Sequence, residues 1–163
     1  IVNISERPHL PRALASAPFD SDGVATRDRE VVRGGVLEGY FLGVYSARKL
    51  GMRSTGNAGG CHNLIVQGGE HDLPGLLRLM GRGLLVTELL GHGVNYVTGD
   101  YSRGAAGFWG ENGEIRYPVH EITIAGNLSR MLRGITAIGS DVLVRGSRTV
   151  GSMLIDRMTV AGA

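Results

Sequence analysis

The side chains of this chain with the most potential for metal chemistry are five histidines and one cysteine: His9, His62, His71, His92, His120 and Cys61. No two histidines stand three or four residues apart, the spacing that places two ligands on one face of a helix. Cys61 and His62 are adjacent, and adjacent side chains of a strand point to opposite faces, so they are not expected to chelate one ion together. The sequence therefore predicts no metal site and no cofactor within this chain.

Two residues could act as nucleophiles, either Cys61 beside His62 or Ser102 with a distant histidine. Ser102 lies in the run Asp-Tyr-Ser-Arg-Gly, which differs from the Gly-x-Ser-x-Gly elbow of many hydrolases. A single free cysteine more often behaves as a small buried hydrophobic residue. We predict no catalytic residue here, and keep a stand-alone hydrolase using Cys61 or Ser102 as an alternative.

Two glycine-rich runs could cradle an anion with backbone N–H groups. They are Gly56-Asn-Ala-Gly-Gly60 and Gly99-Asp-Tyr-Ser-Arg-Gly104. Neither has the spacing of a phosphate-binding loop or a dinucleotide fingerprint, so loops and bulges between strands are the favoured interpretation.

Within the second run, Asp100 and Arg103 stand three residues apart and leave two interpretations open. A carboxylate and a guanidinium there could hold a peptide backbone or a facing loop. They could equally form an internal ion pair that fixes a bulged strand. Trp109, the only tryptophan, is expected to be a core residue or an interface anchor.

These residues fall on a predicted hairpin between Val97 and Glu121. Asn112-Gly113 lies between two strand-like runs, and both residues tolerate the positive φ of a type I′ turn. The first arm carries four glycines, Gly99, Gly104, Gly107 and Gly110. Glycine in a strand usually marks a bulge or the close approach of another backbone or a ligand. We therefore interpret this arm as a surface that faces a peptide or a partner.

The remaining elements are predicted from periodicity and capping residues. Short helices are expected at residues 10–16, 73–80 and 128–135, with Asp72 and Asn127 as N-caps of the last two, and a single helical turn closed by glycine is expected at residues 46–51. Strands are expected at residues 27–33, 36–46, 63–67 and 83–90, the last as a central strand. The fold class is α+β, with a mixed or antiparallel, barrel-like or curved sheet and two or three short helices. Residues 1–163 are expected to form one domain.

Composition narrows the class of function. Glycine accounts for 27 of 163 residues, and the formal charge is only +2, so nucleic-acid binding is not indicated. One cysteine suits a reducing compartment, and the sequence shows neither a signal peptide nor an apolar run of about 18 residues. We expect a cytoplasmic protein without a membrane span.

The chain begins at Ile1 without an initiator methionine, so we also expect it to be part of a longer protein.

Several blocks of this sequence resemble the C-terminal domain of PmbA (TldE)-type members of the TldD/PmbA family, in order and over essentially the whole chain. The blocks are Pro18-Phe-Asp-Ser-Asp-Gly23, Tyr45-Ser-Ala-Arg-Lys-Leu-Gly51, Ser54-Thr-Gly-Asn-Ala-Gly-Gly60, Thr98-Gly-Asp-Tyr-Ser-Arg-Gly-Ala-Ala-Gly-Phe-Trp109, Glu111-Asn-Gly-Glu-Ile-Arg-Tyr-Pro-Val119, Glu121-Ile-Thr-Ile-Ala-Gly-Asn127 and Met158-Thr-Val-Ala-Gly162.

The resemblance implies one half of a cytosolic heterodimeric metallopeptidase that processes or degrades peptides and unfolded proteins. In that family the TldD-like partner carries a His-Glu-x-x-x-His motif and a C-terminal cysteine as zinc ligands. This chain has neither, so zinc is expected in the partner and this subunit is expected to be non-catalytic. The TldD-like partner is thought to hold peptides by strand addition.

By analogy, the candidates for contact with substrate or partner are Gly99, Asp100, Tyr101, Ser102, Arg103 and Trp109. A homodimer in isolation remains open. An older family name, modulator of DNA gyrase, leaves a second alternative, a structural or binding module that acts on gyrase.

Overall fold

The computed structural model describes residues 1–162, which form two compact units. The first unit comprises residues 1–68 together with residues 142–151. The second comprises residues 69–141 together with the segment from Ser152 onward. The expectation of a single domain stays a prediction, and each unit is described by itself.

The first unit is built on a six-stranded mixed sheet. In spatial order its strands are β3 (Val36–Leu37), β2 (Arg29–Arg33), β1 (Ile4–Glu6), β4 (Leu64–Val66), β10 (Arg148–Val150) and β9 (Leu143–Arg145). The pairs are antiparallel except for β10 with β4, which is parallel. The chain returns to the first unit only at residue 142, so no short hairpin joins β4 to its neighbour β10. A long connection of this kind permits the parallel pairing that makes the sheet mixed.

Two local expectations for the first unit are wrong. Residues 10–16 form turns instead of a helix, because Arg12 takes a left-handed φ of 60° and Ser16 Oγ donates to the carbonyl of Leu10. The predicted strand 36–46 ends at Leu37, and α1 (Val44–Lys49) occupies its last part. The carboxylate of Asp22 accepts the N–H of Val44 at 2.8 Å, which starts the helix despite the β-branched residue.

The second unit contains a four-stranded antiparallel sheet and a separate strand pair. The sheet order is β12 (Thr159–Ala161), β7 (Glu114–Asn127), β6 (Asp100–Glu111) and β5 (Arg82–Leu90), and the pair consists of β8 (Ile135–Ile138) and β11 (Met153–Ile155). Two helices complete the unit, α2 (Leu73–Met80) and α3 (Leu128–Arg133). Asp72 and Asn127 cap them as predicted, accepting the N–H groups of Gly75 and Ser129.

The β6–β7 hairpin has the predicted turn, with φ of 56° at Asn112 and 79° at Gly113. Further along, the pairing of β6 with both neighbours shifts at Ala106. At this point two residues of β7, His120 and Glu121, face the single residue Ala106 of β6, and Glu121 takes a φ of 55°. The register therefore shifts at one level across three strands, and irregularities of this kind bend a strand and increase its local twist.

The core of the second unit lies on one face of this sheet. Its buried members are Tyr101, Ala105, Ile122 and Ile124, and the half-buried side chains of Leu84, Val86, Val94, Leu128, Met131 and Met158 pack around them. Strands β5, β6 and β7 thus share a single apolar layer that positions the glycine-rich arm.

The α+β prediction is confirmed: the described residues hold three short helices and open sheets, mixed in one unit and antiparallel in the other. The prediction that residues 83–90 form a central strand is wrong in position, because β5 is the last strand of its sheet. The apolar run of β5 is continuous because both faces of this strand are covered. One face packs on the core, and Met80 of α2 lies against Gly83 on the opposite face. No helix in residues 1–162 is long and apolar enough to cross a membrane.

Candidate functional site

The glycine-rich arm, Gly99–Gly107, lies almost entirely on β6, an interior strand of the sheet. Along this strand, β5 pairs with one edge and β7 with the other, and the bridge from Val94 to Tyr101 extends the pairing beyond β5. Both edges of the arm are therefore occupied. A peptide could reach the arm through a face of the sheet, but not by adding a strand beside it.

The glycines of the arm are explained by close neighbours inside the unit. At Gly107 a Cβ atom would collide with the carbonyl oxygen of Leu85 on β5. At Gly99 it would press on the side chain of Asn127, and at Gly110, just beyond the arm on the same strand, on Met80 of α2. The close approach of another backbone, which the sequence predicts, is real and is made by the unit's own strand.

Alternation along β6 divides the predicted contact residues between two faces. Arg103 pairs with Ile124 and Tyr101 with Gly126, so both side chains lie on the core face of the sheet. Asp100 and Ser102 lie on the opposite face and are exposed. The structure brings these residues together on one strand, but no single flat surface presents them all.

Asp100 and Arg103 do not pair with each other; no ion pair joins them within residues 1–162. Asp100 Oδ2 accepts the hydroxyl proton of Thr98 at 2.7 Å. Arg103 Nη2 lies 3.4 Å from the carbonyl oxygen of Leu89, while its buried Nε has no partner in the described part of the chain. The guanidinium of Arg103 is thus a half-buried cation with most of its donors uncommitted.

Trp109 lies on the core face further along β6, where it is half-buried. The guanidinium of Arg82 stacks 5.4 Å from its ring centroid, and its indole N–H donates to Glu111 at 3.0 Å. Arg82 also lies 3.4 Å from the same carboxylate. The polar group of this indole is therefore satisfied within the hairpin.

The candidate nucleophiles do not form a catalytic pair. Cys61 Sγ accepts an N–H of Arg148 at 2.9 Å, while the ring of His62 directs Nδ1 to the carboxylate of Glu6 at 3.2 Å. Within residues 1–162, no hydrogen bond joins Ser102 Oγ to a histidine. Neither arrangement supplies the nucleophile–base contact that activated hydroxyls and thiols require.

The described residues also do not fit a zinc ion. Among residues 1–162, no group of three or more histidine, cysteine, aspartate or glutamate side chains is arranged to hold a metal ion. A structural or catalytic zinc site needs at least three protein ligands.

The most interconnected polar group of the first unit is centred on Glu6, which sequence reasoning missed. This carboxylate is only 2% exposed and accepts hydrogen bonds from Arg29 Nε at 2.7 Å, Asn57 Nδ2 at 2.7 Å and the backbone N–H of His62 at 2.8 Å. Burial acts to raise the pKa of Glu6, but these donors together hold the pKa below its ordinary value of 4.5.

A second carboxylate, Asp20, fixes the same glycine-rich loop. It accepts the N–H groups of Asp22 and Val24, both at 2.9 Å, and of Ala58 at 2.8 Å. Its burial opposes ionisation, and these backbone donors lower its pKa below 3.8. The loop Gly56–Gly60 and the residues after it therefore cradle anions, as glycine-rich loops can, but two carboxylates of this chain fill that role.

Residues 1–162 match the family model described as the PmbA/TldA metallopeptidase C-terminal domain. A protein of Haemophilus influenzae called metalloprotease PmbA homolog is 58% identical over 98% of this chain and 36% of its own length. The chain thus spans about a third of the curated relatives that it matches.

Two solved structures have the same fold. One, from Thermotoga maritima, bears a name that proposes a modulator of a DNA gyrase; it has a TM-score of 0.88 and 40% identity over 98% of this chain and 39% of that one. The other is TldE from Thermococcus kodakarensis, with a TM-score of 0.84 over 99% of this chain and 40% of that one. At 24% identity, the second likeness concerns the fold alone.

Proposed function

This chain belongs to the PmbA/TldD metallopeptidase family, and from that premise we propose that it is the C-terminal domain of a non-catalytic, TldE-like subunit. The subunit joins a TldD-like catalytic subunit in the cytoplasm, and the complex processes or degrades peptides and unfolded proteins. Zinc resides in the TldD-like subunit. The observation that carries the proposal is the family match over residues 1–162, together with the lack of a metal-ligand cluster among those residues.

The geometry of the candidate nucleophiles supports a non-catalytic role. The thiol of Cys61 is bound to Arg148 and the ring of His62 is bound to Glu6, so neither side chain is poised to activate the other. The predicted contact residues from Asp100 to Trp109 instead lie on strand β6 of the β6–β7 hairpin. A paired strand of this kind suits the binding and positioning of a peptide or a partner.

Within this proposal the glycine-rich arm contributes to the substrate cleft or to the partner interface through its faces. Asp100 and Ser102 offer the exposed face, and Arg103 and Trp109 offer half-buried side chains on the other. Gly99, half-buried just before the strand, offers only its backbone. Tyr101 is buried in the core, so its contribution is to hold the strand in place.

The decisive experiment uses the full-length protein with and without a TldD-like partner from the same organism. We expect peptide cleavage only when both subunits are present, with zinc bound by the partner. Cleavage by the full-length protein alone, abolished by alkylation of Cys61, would instead establish the stand-alone hydrolase. Cleavage that persists after alkylation but is lost in Ser102→Ala would point to the serine.

The role of the arm has its own test in the reconstituted complex. Arg103→Ala is expected to lower the rate of peptide cleavage while the zinc content stays unchanged. Arg133→Ala, on the exposed side of α3, is the matched control and should leave the rate unaltered. Normal cleavage and normal assembly with Arg103→Ala would refute this role.

The alternative that the protein acts on DNA gyrase is favoured by the name of the Thermotoga maritima structure. It requires a binding surface for gyrase and no peptidase partner. Pull-down with the full-length protein, comparing a TldD-like protein with gyrase subunits as prey, separates the two. Capture of gyrase without capture of the TldD-like protein would favour this alternative.

A further inference from the structure

The chain has six asparagines, and Asn112 differs from the others in what holds its side chain. Asn112 lies exposed at the turn of the β6–β7 hairpin, and within residues 1–162 no hydrogen bond joins its side-chain amide to another group of the protein. Each of the other five amides is hydrogen-bonded, at Asn3, Asn57, Asn63, Asn95 and Asn127. The amide of Asn112 is therefore free to rotate, whereas the other amides must first break a bond.

The residue that follows Asn112 also sets it apart. This residue is Gly113, whereas the residues that follow the other five asparagines all carry a Cβ atom: Ile4, Ala58, Leu64, Tyr96 and Leu128. A Cβ atom on the following residue crowds the approach of its backbone nitrogen to the asparagine side chain. Glycine has no Cβ atom, so the nitrogen of Gly113 is accessible to the amide carbon of Asn112.

The hairpin leaves the backbone nitrogen of Gly113 without a bond as well. The last residue pair of the ladder is Glu111 with Glu114, so both turn residues lie beyond it. Within residues 1–162 the N–H of Gly113 donates to no backbone carbonyl. The turn therefore places a free backbone nitrogen next to a free side-chain amide, and neither takes part in the pairing of the two strands.

We propose that Asn112 is a site of spontaneous deamidation. The backbone nitrogen of Gly113 loses its proton to hydroxide and attacks Cγ of Asn112. A new C–N bond closes a five-membered cyclic imide, the C–N bond of the side-chain amide breaks, and its nitrogen takes a proton from water and leaves as ammonia. Water then adds to one of the two imide carbonyl carbons and opens the ring to aspartate or isoaspartate. In sum, one water is consumed and one ammonia is released.

The two products have different effects on the hairpin. Aspartate before glycine still suits a type I′ turn, but it adds a third carboxylate between Glu111 and Glu114. The nearby cations are already engaged, since Arg82 lies 3.4 Å from Glu111 and Arg116 lies 3.0 Å from Glu114. Isoaspartate carries the backbone through the side-chain carbons and lengthens it by one methylene. Because loop length fixes the register of a hairpin, this product disturbs the pairing of β6 with β7 next to the turn.

The test incubates the folded full-length protein in mildly alkaline buffer and follows each asparagine-containing peptide by mass spectrometry. The peptide with Asn112 should gain the mass difference between a hydroxyl and an amino group. It should react at least about fivefold faster than any other, as one hydrogen bond fewer to break would give. Asn95 is the matched control, because it is also exposed in a turn, but its side-chain oxygen accepts the N–H groups of Val97 and Thr98. Asn112→Asp should abolish the mass gain in its own peptide.

Two results would overturn the inference. If Asn95 or another asparagine reacted as fast as Asn112, the free amide and the following glycine would not select the site. If Asn112 reacted only after the protein was unfolded in urea, the folded turn would protect it instead of exposing it. The reaction involves only this chain and water, so the inference does not rest on the proposed function, and neither result bears on peptide cleavage.

Discussion

Asp100 and Arg103, which stand three positions apart in the sequence, extend from opposite faces of β6. Asp100 is exposed and bound to Thr98, whereas Arg103 lies beside Ile124 on the core face. An odd separation in a strand has this consequence, because side chains alternate with a period of two. The interpretation of the two residues as an internal ion pair is therefore wrong.

A double-mutant cycle in unfolding experiments tests this separation. Asp100→Asn and Arg103→Met, made singly and together, are expected to give a coupling energy within about 0.5 kcal/mol of zero, because the two side chains share no contact. Arg103→Met keeps the packing of the aliphatic stem against the core face and removes the charge. A coupling above about 1 kcal/mol would mean that the two charges interact in solution.

The conformation at Gly99 is expected to be required for the loop that carries Tyr96 and Val97. Its φ is 80°, and a Cβ atom would lie 3.0 Å from the side-chain nitrogen of Asn127. Gly99→Ala should destabilise the protein by about 1–2 kcal/mol through backbone strain, and further by displacing Asn127 from Thr98. Chemical denaturation followed by Trp109 fluorescence measures the loss, because the tryptophan lies in the same unit.

Gly91→Ala provides the comparison for Gly99→Ala. Gly91 lies in the same loop with a φ of 74°, but a Cβ atom there meets nothing within 4 Å. It should show the strain alone, so the difference between the two variants measures the contact with Asn127. Equal losses for both would show that this contact contributes nothing.

The glycine at position 107 is expected to be required for the pairing of β5 with β6. A Cβ atom there would overlap the carbonyl of Leu85, and a backbone atom in a paired strand cannot move aside as a side-chain end can. Gly107→Ala should therefore cost about 3 kcal/mol or more. Gly104→Ala, where the nearest atom is 3.2 Å away on the side chain of Leu90, should cost less; a reversed order in thermal denaturation would contradict this account.

Features with a local cause were predicted from the sequence. The hairpin turn follows from Asn112-Gly113, and the starts of α2 and α3 follow from Asp72 and Asn127, whose side chains act on residues two or three positions away. The partners of Glu6 lie 23, 51 and 56 residues away, and no local pattern marks a lone glutamate as buried. The position of β5 at the edge of its sheet likewise depends on which strands pair over long range, and no local sequence pattern reveals that pairing.

The buried carboxylate of Glu6 is expected to make the stability of the first unit sensitive to acid. The pKa of Glu6 is lowered in the folded protein, so the unfolded chain binds the proton more readily. The resulting stabilisation is complete above the ordinary value of 4.5 and is lost as the pH falls through the folded pKa. Asp20 acts in the same direction. The free energy of unfolding, followed by far-UV circular dichroism, should therefore decrease steeply below about pH 5.

Replacement of Glu6 isolates its share of this effect. Glu6→Gln should cost about 3 kcal/mol at pH 7, because Arg29 would then keep a buried charge without its partner, and the decrease in stability with acid should become shallower. The control is Glu30→Gln, which breaks the Arg7–Glu30 ion pair on the neighbouring strand at 2.6 Å. Those side chains are 28% and 29% exposed, so water compensates for the loss and the cost should stay below about 1 kcal/mol. If both variants lost equal stability, burial of Glu6 would not be the source of its contribution.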